Sequence, residues 1–322
     1  MRGLSKEFLD SLKSGLLHPV LDRVKKDDTL MLAIRDGYIN IYYRGGNLIR
    51  ITKRQDSPES YDLFFDIKYD LSDGHKSYYA LNLAEKVVDH QQVTQWALSF
   101  AILKELMDFW FSEHPKLERE YQQLVERENN RSSISNETEY FITDIEMADS
   151  EIGARFDILS IKWLASGRQD GRNCKASFIE MKYGDDALDG KSGLIKHLKG
   201  ISAFLENKDK YSAILKVMTV QFNQLVDLGL VKFNQSTNNT KVELNPVEKP
   251  EFIFLIANHN PRSSKLKVIL ADPEFKKYIS SELFDLRFFV SSDAGYGMHN
   301  YNMLTYNEYC NRFKSKSNLQ TQ

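Results

Sequence analysis

Short apolar runs at Met31–Ile34, Tyr38–Tyr42 and Leu48–Ile51 are separated by Asp36-Gly37 and by Gly45-Gly46-Asn47. These separators tolerate the positive φ that tight hairpin turns demand, so Leu30 to Thr52 predicts an antiparallel β-meander. Tyr61 to Tyr69 predicts one more strand. Leu4, Phe8, Leu9, Leu12 and Leu16 recur at helical spacing with charges between them. Helical spacing returns over Leu81 to Phe111, and Pro115 breaks it before a second helix over Leu117 to Glu128.

The texture changes after the polar loop Asn129–Asn136. Tyr140–Met147, Phe156–Leu164 and Ala176–Tyr183 predict three strands, the last two joined by the polar, glycine-bearing connector Ser166–Asn173 and therefore antiparallel neighbours. An amphipathic helix follows, with Leu194, Leu198, Ile201, Phe204 and Leu205 on one side, then a helix over Tyr211–Leu228. After a polar loop at Asn234–Asn245, Phe252–Ala257 predicts a buried strand, and Leu266–Leu270 and Leu286–Val290 predict two more. A shaped loop, Ala294–His299, precedes a closing helix. The chain divides on this reading into residues 1–113, meander plus helical region, and 114–322.

Composition narrows the class. The chain has 322 residues, 42% hydrophobic and 27% charged, with 16 Gly and 7 Pro, which excludes collagenous and disordered polymers. Cys174 and Cys310 stand far apart without a Cys-x-x-Cys motif, against a disulfide scaffold or zinc ribbon, so a reducing cytoplasm is the expected location. No apolar run reaches the 18 or so residues of a membrane span, and the N-terminus lacks the continuous apolar segment of a signal peptide. The formal charge of −2 excludes a broadly basic protein. From Ile158 to Lys216, however, eleven Lys and Arg face seven Asp and Glu, a net +4 that leaves the rest at −6. That fits a polyanion groove, or equally a solvated helix face.

The chemistry concentrates in the three middle strands. Asp157, and then Glu180-Met181-Lys182, interrupt segments that otherwise read as core. Alternation puts Glu180 and Lys182 on one face. A connector centred near Gln169 brings Asp157 opposite residues 180–182, and a one-residue shift in register decides whether it shares their face. Converging carboxylates form a hard oxygen site suited to Mg2+ or Mn2+, with the adjacent ammonium placed to orient water or offset transition-state charge. A structural ion pair on a half-exposed sheet face is the plainer alternative.

Phe156-Asp157 followed by Glu180-Met181-Lys182 resembles the PD-(D/E)XK nuclease superfamily, Phe156 standing where the family has Pro. The order of elements over roughly residues 115–260 is also similar. The resemblance implies an α/β, restriction-endonuclease-like core: helix, three strands, helix, strand, forming a mixed sheet flanked by helices, with the meander as an N-terminal addition. It implies Asp157 and Glu180 as metal ligands, Lys182 as the residue that positions water, and a glutamate from the preceding helix, for which Glu128 is the choice over Glu118 and Glu120. Asp144 and Glu146 are further candidate ligands.

Gly184–Gly193 lacks the spacing of a nucleotide-binding loop but offers a helix N-terminus, where Lys191, with Lys196 and His197, would contact backbone phosphates. His197 also fits a semi-buried structural histidine. Tyr296, His299 and Tyr301 fit an aromatic loop packed on its own core, or base stacking. The meander fits a substrate reader, a dimerising module that would make a homodimer, or an added sheet layer. The expectation is a cytoplasmic Mg2+- or Mn2+-dependent nuclease acting on nucleic acid, DNA in preference to RNA, in restriction, defence or repair. The alternatives are a catalytically inactive nuclease-fold protein that binds nucleic acid or a protein partner, and a metal-free hydrolase with paired carboxylates.

Overall fold

A computed structural model of the chain describes residues 2–55, 57, 59–70, 81–131, 138–149, 154–190, 193–233, 241–260, 263–291 and 297–317. It forms two compact units, residues 1–127 with 223–231, and residues 128–222 with 232–322. The division falls inside a helix, after Arg127, and not at the Pro115 break that divides the sequence.

In the second unit, three strands, β6 (Tyr140–Asp149), β7 (Ala154–Lys162) and β8 (Lys175–Tyr183), follow α4 (Leu117–Asn130). Helices α5 (Leu194–Glu206) and α6 (Lys208–Asp227) lead to β9 (Glu251–Ala257). The chain then passes through α7 (Lys265–Ala271), α8 (Pro273–Lys276), β10 (Asp285–Val290) and α9 (Tyr306–Ser317). The strands form one mixed sheet in the order β10-β9-β8-β7-β6, antiparallel among β6, β7 and β8 and parallel from β8 to β10. β8 and β9 are buried on both faces, which explains their continuous apolar runs.

The face of β8 that carries Phe178, Glu180 and Lys182 is covered by α5, whose Phe204 meets Phe178 edge-on at 6.2 Å. At the other end of the sheet, Glu251 is 1% exposed and gathers groups from β6 and β7: Tyr140 Oη donates to it at 2.8 Å and Lys162 Nζ at 2.8 Å. Lys175 of β8 stands 3.6 Å away. Burial and the Glu251 charge push the Tyr140 hydroxyl far above its ordinary pKa. A buried carboxylate is held here only because cations and hydroxyls replace its water.

The expected strand at Leu266–Leu270 is instead the short helix α7. Leu266 and Leu270 are buried while Val268 between them is 66% exposed, a burial period of four that no strand produces. Leu286–Val290 is strand β10, as expected.

The first unit has α1 (Lys6–Lys13), α2 (His18–Lys26) and an antiparallel meander of β1 (Leu30–Ile34), β2 (Tyr38–Tyr43), β3 (Gly46–Lys53), β4 (Tyr61–Phe64) and β5 (Lys86–Val87). The 24-residue α3 (His90–Glu113) starts at Asp89, whose side chain accepts the Gln92 N–H, and buries Val93, Trp96, Phe100, Leu103 and Met107. The strand expected over Tyr61–Tyr69 stops at Phe64, because Asp66 caps a single 3-10 turn over Ile67–Tyr69. No helix among the described residues is long and apolar enough to cross a membrane.

The β2–β3 hairpin pairs Tyr43 with Gly46, leaving Arg44 and Gly45 as its two central residues with φ of +48° and +72°. This is the turn pattern that matches strand twist, one residue earlier than the glycines predict. Gly45 is required twice over, since a Cβ there would lie 2.5 Å from Arg119 Cβ, whereas a Cβ at Gly37, also at φ +72°, would meet nothing within 4 Å. Gly37→Ala is therefore expected to cost about 1–2 kcal/mol from backbone strain alone, and Gly45→Ala about 2–5 kcal/mol. Urea unfolding of the two variants checks this; equal losses would contradict the close approach.

Candidate active site

Glu180 and Lys182, two residues apart on β8, project to the α5 side and are 6% and 3% exposed. Lys182 Nζ donates to Glu180 Oε1 at 2.6 Å. From α5, His197 brings Nδ1 to 3.0 Å from Glu180 Oε2 and Nε2 to 3.3 Å from Lys182 Nζ. An ammonium has only donors, so Nε2 must accept and the proton sits on Nδ1, which donates to Glu180. His197 thus orients the carboxylate. Burial pushes the Glu180 carboxyl up, but the His197 hydrogen bond and the Lys182 charge outweigh it and hold the group below the usual range.

Asp157 comes to this pair from β7. The last pairing between β7 and β8 is Ile158 with Ile179, so one further step puts Asp157 opposite Glu180. There β7 leaves β8 while staying paired with β6 through Phe156, Arg155 and Ala154. Phe156 turns onto the α5 side, its ring 4.8 Å from Phe178 and 5.1 Å from Phe204. The Asp157 carboxylate takes the ladder position a backbone carbonyl would hold, Oδ2 accepting the Met181 N–H at 3.1 Å. It therefore binds the peptide between Glu180 and Met181, one residue short of Lys182.

The other candidates disperse. Glu128 is half-buried in the last turn of α4. Asp144 is fully buried, its oxygens accepting the Ile145 N–H and the Gln221 amide at 2.8 and 3.1 Å. Glu146, at φ +48°, stands between the pairs Ile145–Ile158 and Met147–Phe156, hence opposite Asp157, and pairs with Arg155 at 3.3 Å. Among the described residues no three His, Cys, Asp or Glu side chains gather closely enough to share an ion. Lys191 and Tyr296 lie outside the described residues. Lys196 is exposed and, with Lys199, Asp189 and Ile269, lines a cavity of about 390 Å³. Tyr301 is 95% exposed, so it is not packed on the core as the sequence predicts.

Two further groups meet where β8 and β9 end side by side. His259 Nδ1 lies 2.7 Å from Asp185 Oδ1, which also accepts the Asn260 N–H at 3.1 Å. The signal in the sequence is faint: Gly184 marks a turn, but the answering left-handed residue on the other strand is Asn258, at φ +50°.

Two carboxylates on adjacent strands, one buried beside an ammonium, suit a hard divalent cation that keeps several waters and binds through one or two carboxylates. Each carboxylate oxygen has a second lone pair, so the bonds to Lys182 and His197 leave Glu180 able to accept a cation. Comparison with protein-family models, curated proteins and solved structures finds no match. The site's reading rests on its own geometry.

Asp157 carries a structural and a candidate chemical role that substitution separates. Asp157→Asn keeps an oxygen for the Met181 N–H and is expected to hold stability within about 1 kcal/mol, whereas Asp157→Ala strands that donor at a cost of about 1–3 kcal/mol. Thermal and urea unfolding decide it, and indistinguishable stabilities would show that the bond contributes nothing.

Proposed function

We propose that the second unit is a Mg2+- or Mn2+-dependent nuclease of the PD-(D/E)XK type, cytoplasmic and acting on nucleic acid, DNA in preference to RNA, in restriction, defence or repair. The observation that carries this reading is the docking of Asp157 on the peptide between Glu180 and Met181, with the Lys182 ammonium buried against Glu180. The element order α4, β6, β7, β8, α5, α6, β9 supports it, containing the helix, three strands, helix and strand that the resemblance implies with the helix α6 inserted before the last strand.

Asp157 and Glu180 would hold the cation, Glu180 kept ionised by His197 and Lys182. When bound, a divalent cation offsets charge on the phosphoryl oxygens and acidifies coordinated water. Lys182 presents a fixed positive charge beside the attacking water and the scissile phosphate, and Glu180 holds it there without reorganisation. Lys196, exposed on α5, contributes charge for the phosphate backbone.

A second reading, a nuclease-fold protein that binds without cutting, is favoured by one observation: both Glu180 oxygens already have partners in Lys182 and His197. Glu180→Ala and Lys182→Ala proteins that remain folded by circular dichroism are expected to lose Mg2+-dependent DNA cleavage by about 100-fold or more. Retained cleavage in both overturns the nuclease reading. DNA binding by the unmodified protein with no cleavage establishes the second.

A further inference from the structure

Beyond the Glu180–Lys182 site, one histidine has the geometry of a proton-transfer group. β8 and β9 run parallel, Tyr183 pairing with Ala257, and each ends in a left-handed residue, Gly184 at φ +76° and Asn258 at φ +50°. Non-glycine residues adopt this conformation at a cost, and such residues cluster at working sites. The two turns bring Asp185 and His259 together, His259 Nδ1 being 2.7 Å from Asp185 Oδ1 with the side chains 12% and 20% exposed. Asp185 is held in turn by the Asn260 N–H. Burial raises its carboxyl, but hydrogen bonds from Ser263, Asn260 and His259 outweigh this and keep it below the usual range. The charged neighbour is Lys265 of α7, whose ammonium reaches the Asp185 carbonyl at 3.3 Å, Asp189 at 3.3 Å and Asp186 at 3.9 Å. Among the described residues nothing bonds to His259 Nε2. A ring fixed at Nδ1 by a carboxylate, with the other nitrogen open, is arranged to give or take a proton at Nε2.

Position selects giving. Lys182 pairs with Ile256, so His259 lies three residues further along the same sheet edge, at most about 10 Å away along the strands. In phosphoryl transfer the attacking and leaving oxygens stand in line on opposite sides of phosphorus. Attack from the Lys182 side would therefore place the leaving oxygen on the His259 side of the phosphate.

We propose that His259, held by Asp185, is the general acid that protonates the leaving oxygen of the scissile phosphodiester; this rests on the nuclease reading above. Water forms the new P–O bond and releases one proton to solvent. The P–O bond to the leaving group breaks with its electron pair on that oxygen, which takes the proton from imidazolium Nε2, and the ring regains a proton from solvent. The products are a phosphomonoester and an alcohol. The Asp185 carboxylate holds the ring through Nδ1.

His259→Asn tests it, because the Asn amide N–H reproduces Nδ1–H and keeps the bond to Asp185 while Nε2 is removed. The probes are a DNA duplex with its cleaved phosphate mapped, and the same duplex with sulfur replacing the leaving bridging oxygen, a leaving group that needs no proton. The variant is expected to melt with the unmodified protein, to cut ordinary DNA about 10²–10⁴-fold more slowly, and to cut the sulfur duplex within about tenfold of the unmodified rate. Asp185→Asn should show the same sulfur rescue with a smaller loss. Equal slowing on both duplexes overturns the proposal in favour of a structural tether. Undiminished cutting by His259→Asn while Glu180→Ala is inactive overturns it and leaves the nuclease reading standing; no cutting by the unmodified protein overturns both.

Discussion

Glu180 and Lys182 lie buried in the central strand of a five-stranded sheet, and their 2.6 Å contact is the condition on which the surrounding structure depends. Either charge alone would lose several kcal/mol of hydration with nothing to replace it; together, with His197 filling the second carboxylate oxygen, they are tolerated. Such a pair gives no stability that a well-packed apolar pair would not.

The sheet accommodates buried charge at two ends in different ways. At Glu251 the carboxylate is fully enclosed, tying β9 to Tyr140 of β6 and Lys162 of β7, a node without access. At the other end β7 leaves β8 after Ile158, Asp157 substitutes its side chain for the missing ladder bond, and β8 and β9, paired as far as Tyr183 and Ala257, each end in a positive-φ residue. The two ends of the sheet thus bury charge differently, and at this second edge Glu180 and Lys182 are 6% and 3% exposed. The groups at that edge are Asp157, Glu180, Lys182 and, beyond them, Asp185 and His259.

Much of this was legible in residue pattern. The three middle strands follow from their apolar runs, and counting outwards from the connector near Gln169 places Asp157 opposite residues 180–182, within which the pairing of Ile158 with Ile179 selects Glu180. Local contacts decided what could not be read. His197 borders the apolar stripe of α5, and only the packing of that helix on β8 turns it onto Glu180. Asp185 and His259 are 74 residues apart, and their meeting depends on two positive-φ turns, one at an asparagine that announces nothing. Leu266–Leu270 read as a strand because five apolar-rich residues carry too few periods to separate four from two. The hairpin at Arg44-Gly45 slipped one residue because three consecutive turn-formers leave its centre open.

The central claim is that Asp157 and Glu180 jointly hold a divalent cation, and calorimetric titration of Mn2+ into the full chain tests it most directly. The account predicts one saturable site in the unmodified protein that disappears in Glu180→Ala and is weakened in Asp157→Asn, whose backbone bond persists. Heat that is identical in all three proteins, or absent from the unmodified one, would contradict it.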